Sequence, residues 1–231
     1  MMSTKIAGTL FQESTVWTSP YQTKKQKITA RNRYLIYKRI FDITVVLLCS
    51  IVWVPIILLI SLCIKISSPN GPVFFLQERT GKGGKRFKLY KFRTMVPNAE
   101  EMKKELIHLN ELQWPDFKIK NDPRIFRIGK ILRKSSLDEL PQLFNVLRGE
   151  MSLVGPRPTS FGPETYKLWH TERLDVTPGI TGLWQILARG SVEFDERLCL
   201  DIAYIKHCNM YLDIKILFLT FTSIARQRGT F

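Results

Sequence analysis

The sequence predicts a mainly α-helical fold with one small β-hairpin, an α+β arrangement, carried on a re-entrant helix-break-helix in a membrane. Three features lead there: an uncharged run with a proline near its middle, a glycine-rich turn between strand-like segments, and successive stretches with helical start and stop signals. They divide the chain into a polar N-terminal arm, expected to be mobile, over 1–31, a re-entrant membrane segment over 32–66 and a body of domain size over 67–231.

The uncharged run extends from Ile43 to Ile64, 22 residues rich in Ile, Leu and Val. As one helix it would reach about 33 Å, enough to cross a bilayer. A cleaved signal peptide fits poorly, because the run begins some forty residues into the chain with no small-residue cleavage site after it. On one side lie Lys24, Lys25, Lys27, Arg31, Arg33, Lys38 and Arg39, and on the other Arg79, Lys82, Lys85, Arg86, Lys88, Lys91 and Arg93, with no acidic residue within either group. By the positive-inside rule both flanks belong on the cytoplasmic face. A straight span cannot place them so. Pro55 lacks a backbone donor and sits near the midpoint, so a break there returns the chain to its starting side. A kinked span and a buried core helix are the alternatives.

Beyond the run, Val73 to Gln77 and Phe87 to Phe92 have strand composition and flank Gly81-Lys82-Gly83-Gly84, which predicts a hairpin. Helices are expected over Pro97 to Leu112, Arg124 to Leu132, Leu137 to Leu147, Gly162 to Leu174 and Asp195 to His207. The stretch Ile214 to Ile224 is apolar but for Lys215 and is followed by Arg226 and Arg228; it suits either a core helix or one lying in the membrane interface.

With 35 Lys plus Arg against 20 Asp plus Glu, the net charge of +15 points to anionic partners: phosphates, nucleic acid or an anionic membrane face. Four cysteines without CxxC spacing and three scattered histidines argue against a disulfide framework or a zinc site.

Two stretches carry candidate chemistry. In Arg133-Lys134-Ser135-Ser136-Leu137-Asp138-Glu139-Leu140-Pro141-Gln142, adjacent carboxylates lie beside basic residues at an expected helix start. Ser136 and Glu139 can form a capping box, although that places Pro141 where it costs a hydrogen bond. Alternatively, the helix dipole and nearby cations keep one carboxylate ionised as a nucleophile while the second holds Mg²⁺. In Val154-Gly155-Pro156-Arg157-Pro158, two prolines limit where Arg157 points, which suits either bidentate phosphate recognition or a plain surface turn. The turn-rich Thr177-Pro178-Gly179-Ile180-Thr181-Gly182 and the later Arg189-Gly190 are weak signals in isolation.

In combination these residues resemble the monotopic phosphoglycosyl transferases, also called the bacterial sugar transferase family. The likeness runs in order through Lys38-Arg39-Ile40-Phe41-Asp42, Gln77-Glu78-Arg79, Lys91-Phe92-Arg93-Thr94-Met95, Ser136 to Leu143, Asn145-Val146-Leu147 and Gly149-Glu150-Met151-Ser152. It continues through Val154 to Pro158, Pro178 to Gly182, Gln185 and Asp201, and ends near Leu219-Thr220. The resemblance is to the short forms, without a multi-span N-terminal region. Two departures stand out: Val54 precedes Pro55 where the family often has serine, and Gln185-Ile186-Leu187-Ala188 precedes Arg189 where it often has a small polar residue and glycine.

The resemblance implies a catalytic module on the cytoplasmic face of the bacterial inner membrane. It implies that Asp138 attacks the sugar-bearing phosphate of a UDP-sugar, UMP leaves, and polyprenyl phosphate takes the phosphosugar. It further implies Mg²⁺ at Asp138 and Glu139, and a donor site made by Arg133, Pro156, Arg157, Pro158 and Arg189. Nucleic acid is not an expected partner, and a homodimer is left open. The competing readings are a membrane-anchored basic protein that binds anionic lipid or nucleic acid without catalysis, and a hydrolase of nucleotide sugars.

Overall fold

A computed structural model describes residues 20–110, 119, 121–162, 165, 168–187 and 194–226. The hairpin forms as expected, with β1 at Phe74–Thr80 and β2 at Arg86–Phe92 pairing antiparallel from Phe74 opposite Phe92 to Thr80 opposite Arg86. Strand β1 runs three residues past its expected end. The turn needs its glycines, because Gly83 and Gly84 have φ of 63° and 78°. On β2, Leu89 and Phe92 are buried, and the strand's outer edge is closed by a side chain: Asn145 accepts from the Tyr90 N–H at 3.0 Å and donates to the Lys88 carbonyl at 2.8 Å. One buried amide thus does the work of a third strand.

Two long helices precede the hairpin, α1 at Pro20–Leu48 and α2 at Ser50–Ser67. Helix thus begins at Pro20, within the segment assigned to a polar arm; residues 1–19 lie outside the described residues. The break falls at Cys49, and Pro55 sits inside α2, which corrects the expected break at Pro55. Proline removes one bond and crowds the carbonyl four residues back, at Ile51. The chain yields just upstream, where side chains supply replacement donors: Ser50 Oγ donates to the Leu47 carbonyl at 2.7 Å and Trp53 Nε1 to the Val46 carbonyl at 2.8 Å.

Both helices are tied to the body. Arg39 donates to the carbonyls of Val146 and Leu147 at 2.5 and 2.9 Å, and Trp53 packs edge-on against Phe144 with ring centroids 5.3 Å apart. Helix α2 ends on Ser68, whose carbonyl and hydroxyl are gripped by the buried Arg93 at 2.7 and 2.8 Å. Along α2 only Trp53, Ile57, Ile60 and Ile64 are buried. With a mean hydropathy of 2.2 and 22% of its residues buried, Ser50–Ser67 is long and apolar enough to cross a membrane and is too exposed for a core helix.

The body follows as α3 (Ala99–Glu105), α4 (Arg127–Lys134), α5 (Gln142–Arg148), β3 (Ser152–Val154), a 3-10 segment over Leu168–Asp175, β4 (Gly179–Thr181), α6 (Leu183–Leu187), α7 (Phe194–His207) and α8 (Met210–Arg226). The helix expected to reach Leu112 ends at Glu105 and continues only as a 3-10 turn over Ile107–Leu109, with 111–118 outside the described residues. Strands β3 and β4 pair in parallel, Ser152 opposite Gly179 and Val154 opposite Thr181. This contact requires glycine: a Cβ on Gly179 would lie 2.0 Å from the Gly155 nitrogen, so neither backbone has room to yield.

Helix α8 buries Leu212, Asp213 and Ile216 while Tyr211, Ile214, Phe218 and Phe221 stand exposed along one face. At its start, Asp213 accepts from Lys38 at 2.7 Å, Tyr34 at 2.8 Å and Tyr204 at 2.7 Å, so one carboxylate joins α1, α7 and α8.

Candidate active site

The loop between α4 and α5 places the two carboxylates. Helix α4 ends at Lys134, Ser136 adopts a left-handed conformation with φ 57°, and a 3-10 turn follows over Leu137–Glu139. Among the described residues Ser136 is the one non-glycine residue with positive φ, a strained geometry of the kind found at functional sites. The single helix expected over Leu137 to Leu147 is thereby split, and α5 restarts after Pro141, where a missing N–H costs nothing. Ser136 makes no capping hydrogen bond, so the capping box does not form. Nor do Asp138 and Glu139 open an α-helix; they lie in the short 3-10 turn, and the neighbouring cations set their electrostatics.

Those cations arrive from three elements. Lys91 on β2 donates to Glu139 Oε1 at 2.7 Å. Arg157 forms a two-pronged pair with Glu139, Nη1 to Oε2 at 3.1 Å and Nη2 to Oε1. Arg133 on α4 is held by Thr94, Nε to Oγ1 at 2.9 Å, because Gly129 lets α4 approach so closely that a Cβ there would meet the Thr94 carbonyl oxygen at 2.2 Å. Both oxygens of Glu139 are therefore engaged. Asp138 accepts no hydrogen bond among the described residues, and Lys91, Arg133 and Arg157 act on it through charge.

The neighbouring carboxyls are driven apart in acidity. Burial raises Asp138, and the Glu139 charge adds to the rise against the opposing cations. Burial also acts on Glu139, but the charges and hydrogen bonds of Arg157 and Lys91 outweigh it and hold that carboxyl well below its usual range. Burial lowers Arg133, against the attraction of Asp138. For Arg157, burial is outweighed by Glu139, which raises it. Such a split gives adjacent carboxylates different roles: a basic, hydrogen-bond-free Asp138 and a locked anionic Glu139.

The mount of Arg157 is fixed at three successive carbonyls. That of Pro156 accepts from the Gly179 N–H at 2.9 Å, that of Arg157 from Arg173 Nη2 at 2.5 Å, and that of Pro158 from Arg79 Nη1 at 3.2 Å. Pro156 and Pro158 are buried, whereas the Arg157 guanidinium is partly open to solvent. Asp138, Glu139, Arg133 and Arg157 thus share one site, Pro55 lies inside helix α2, and Arg189 lies outside the described residues. In the sequence Lys91 is a basic flanking residue within one of the family-like motifs, with no site role attached to it, and Arg173 carries no signal. Only a lysine on the strand that faces the carboxylate loop would have hinted at the first.

Mg²⁺ ordinarily binds one or two carboxylates and completes its shell with substrate phosphates and water. Among the described residues no three His, Cys, Asp or Glu side chains gather closely enough to hold a metal by themselves. Asp138, with no hydrogen bond among the described residues, can offer an oxygen to a cation of that substrate-completed kind, whereas Glu139 would first have to exchange Lys91 or Arg157 for it.

Known proteins share this chain's pattern. Residues 33–227 match the family described as bacterial sugar transferase. A protein of Streptococcus agalactiae serotype III named galactosyl transferase CpsE is 46% identical over 202 residues, covering 85% of this chain and 44% of its own length. The undecaprenyl-phosphate galactose phosphotransferase of Salmonella typhimurium is 45% identical over 199 residues, 84% of this chain and 41% of its own length. The exopolysaccharide production protein ExoY of Rhizobium meliloti is 38% identical over 199 residues, 84% of this chain and 88% of its own length. The chain accordingly spans about two fifths of the first two relatives and nearly nine tenths of the third.

Proposed function

The chain belongs to the bacterial sugar transferase family, and from that premise we propose that it transfers a sugar phosphate from a UDP-sugar to undecaprenyl or a related polyprenyl phosphate, with release of UMP, in assembly of a surface polysaccharide. One observation carries the reading: Asp138, a carboxylate with no hydrogen bond among the described residues, stands among the charges of Lys91, Arg133 and Arg157. Relatives named for undecaprenyl-phosphate sugar phosphotransfer and for exopolysaccharide production support the substrate class and the end use.

Asp138 attacks the sugar-bearing phosphorus, the bond from that phosphorus to the bridging oxygen breaks, and UMP departs with the electron pair. An oxygen of the lipid phosphate then attacks the same phosphorus and frees Asp138. Arg157 and Arg133 bind the donor's phosphates, with Arg189 assigned to the same task by resemblance alone. Lys91 holds Glu139 in place until the diphosphate enters. Mg²⁺, held by Asp138 and Glu139, would supply charge neutralisation at the leaving phosphate.

The polyprenyl acceptor requires a membrane, and exposed apolar faces on α2 and α8 suit one. We assign 32–66 as the re-entrant segment, 67–231 as the catalytic domain with interfacial helices, and the inner membrane's cytoplasmic face as its location. On this topology single cysteines replacing Lys27 and Lys85 are both protected from a membrane-impermeant thiol reagent outside the cell. Labelling of position 27 from outside would mean a spanning helix instead. The direct test of function is UMP release by protein-containing membranes from a panel of UDP-sugars, with and without polyprenyl phosphate. Release that needs no lipid acceptor would favour the hydrolase, and no release from any donor would favour a non-catalytic protein.

A further inference from the structure

Among the described residues three ion pairs have both partners buried: Lys38–Asp213, Asp122–Arg124 and Arg173–Asp201. The third is distinctive, because one nitrogen, Arg173 Nη2, donates both to Asp201 Oδ2 at 2.8 Å and to the backbone carbonyl of Arg157 at 2.5 Å. The pair is costly. Burial pushes the Asp201 carboxyl up to about 7 even though Arg173 and Arg197 pull it down, and Oδ1 is buried without a hydrogen-bond partner among the described residues. Buried ion pairs of this sort are often no more stabilising than apolar side chains of the same volume, so stability alone does not account for it. Its geometry does. Asp201 on α7 aims Arg173, and Arg173 holds the middle of the three carbonyls that mount the site arginine.

We propose that Asp201 is a positioning residue for Arg157, acting through Arg173. Neither Asp201 nor Arg173 touches Glu139 or Asp138 by any hydrogen bond or ion pair among the described residues, so their influence on the site passes through the Arg157 backbone. With Arg173 released, the carbonyls of Pro156 and Pro158 remain tied but the one between them is free, and the peptide that carries the guanidinium can rotate. The consequence for the donor rests on the transferase reading above; the consequence for Arg157 does not.

The test uses the full chain in phospholipid nanodiscs with isotope-labelled arginine, the Arg157 Nε–H resonance being assigned by its loss in Arg157→Lys. In Asp201→Asn that resonance shifts or broadens, and the KM for UDP-sugar rises about ten-fold with kcat within about two-fold, the scale expected of a displaced binding group. The KM effect vanishes when Asp201→Asn is placed in an Arg157→Lys background, as coupling through that side chain requires. Arg173→Lys keeps the charge but loses the planar fork, gives the same pattern, and carries the test should Asp201→Asn fail to fold. An unmoved Arg157 resonance in a folded variant, or a KM effect that persists in the Arg157→Lys background, overturns the proposal. A wild-type protein that releases no UMP while Asp201→Asn still moves the resonance overturns the transferase reading and supports the positioning pair.

Discussion

Asp138→Asn abolishes UMP release, by at least about three orders of magnitude, and leaves no phosphosugar on the protein, while the chain still inserts into membranes. The substitution preserves shape and replaces a carboxylate by an amide that cannot attack phosphorus. Since Asp138 accepts no hydrogen bond among the described residues, its exchange leaves no donor stranded, and the fold is expected to survive. Glu139→Gln behaves differently: it leaves Lys91 and Arg157 facing a neutral group and, on the proposed Mg²⁺ role, slows the first step with partial rescue at high Mg²⁺. Trapping radiolabelled phosphosugar on the wild-type chain, together with ping-pong kinetics in which UMP appears before lipid is added, checks the assignment. An adduct that survives in Asp138→Asn would move the nucleophile elsewhere.

Arg157→Lys lowers donor turnover by about ten- to a hundred-fold, the scale of one charge-assisted hydrogen bond lost to a ligand. A lysine keeps the charge, yet it cannot make the two parallel contacts that the guanidinium makes with Glu139 or would make with a diphosphate. The mount stays intact, because the carbonyls of residues 156 to 158 are held independently of the side chain. The loss therefore reads the guanidinium rather than a collapsed loop. Steady-state KM and kcat for the donor, measured beside thermal unfolding, separate the two. Wild-type turnover in Arg157→Lys would return the residue to a solvated surface turn.

The sequence by itself determined the family through its ordered motifs, the hairpin, most of the helix positions, and the singling out of Asp138, Glu139, Arg133 and Arg157. Each of those signals is local: strand composition around a glycine turn, helical start and stop residues, or a short run of distinctive side chains. The break at Cys49 instead of Pro55 was not legible, because it depends on Trp53 and Ser50 turning back to the carbonyls of Val46 and Leu47. Tertiary structure also decided what the charges do. Glu139 takes Lys91, 48 residues away, and Arg157, 18 residues away, as partners, and Arg157 is mounted through Arg173 and Asp201 from a 3-10 segment and a later helix. A charged side chain's partner is chosen by which elements pack together and exclude water, and nothing in its immediate neighbours along the chain encodes that choice.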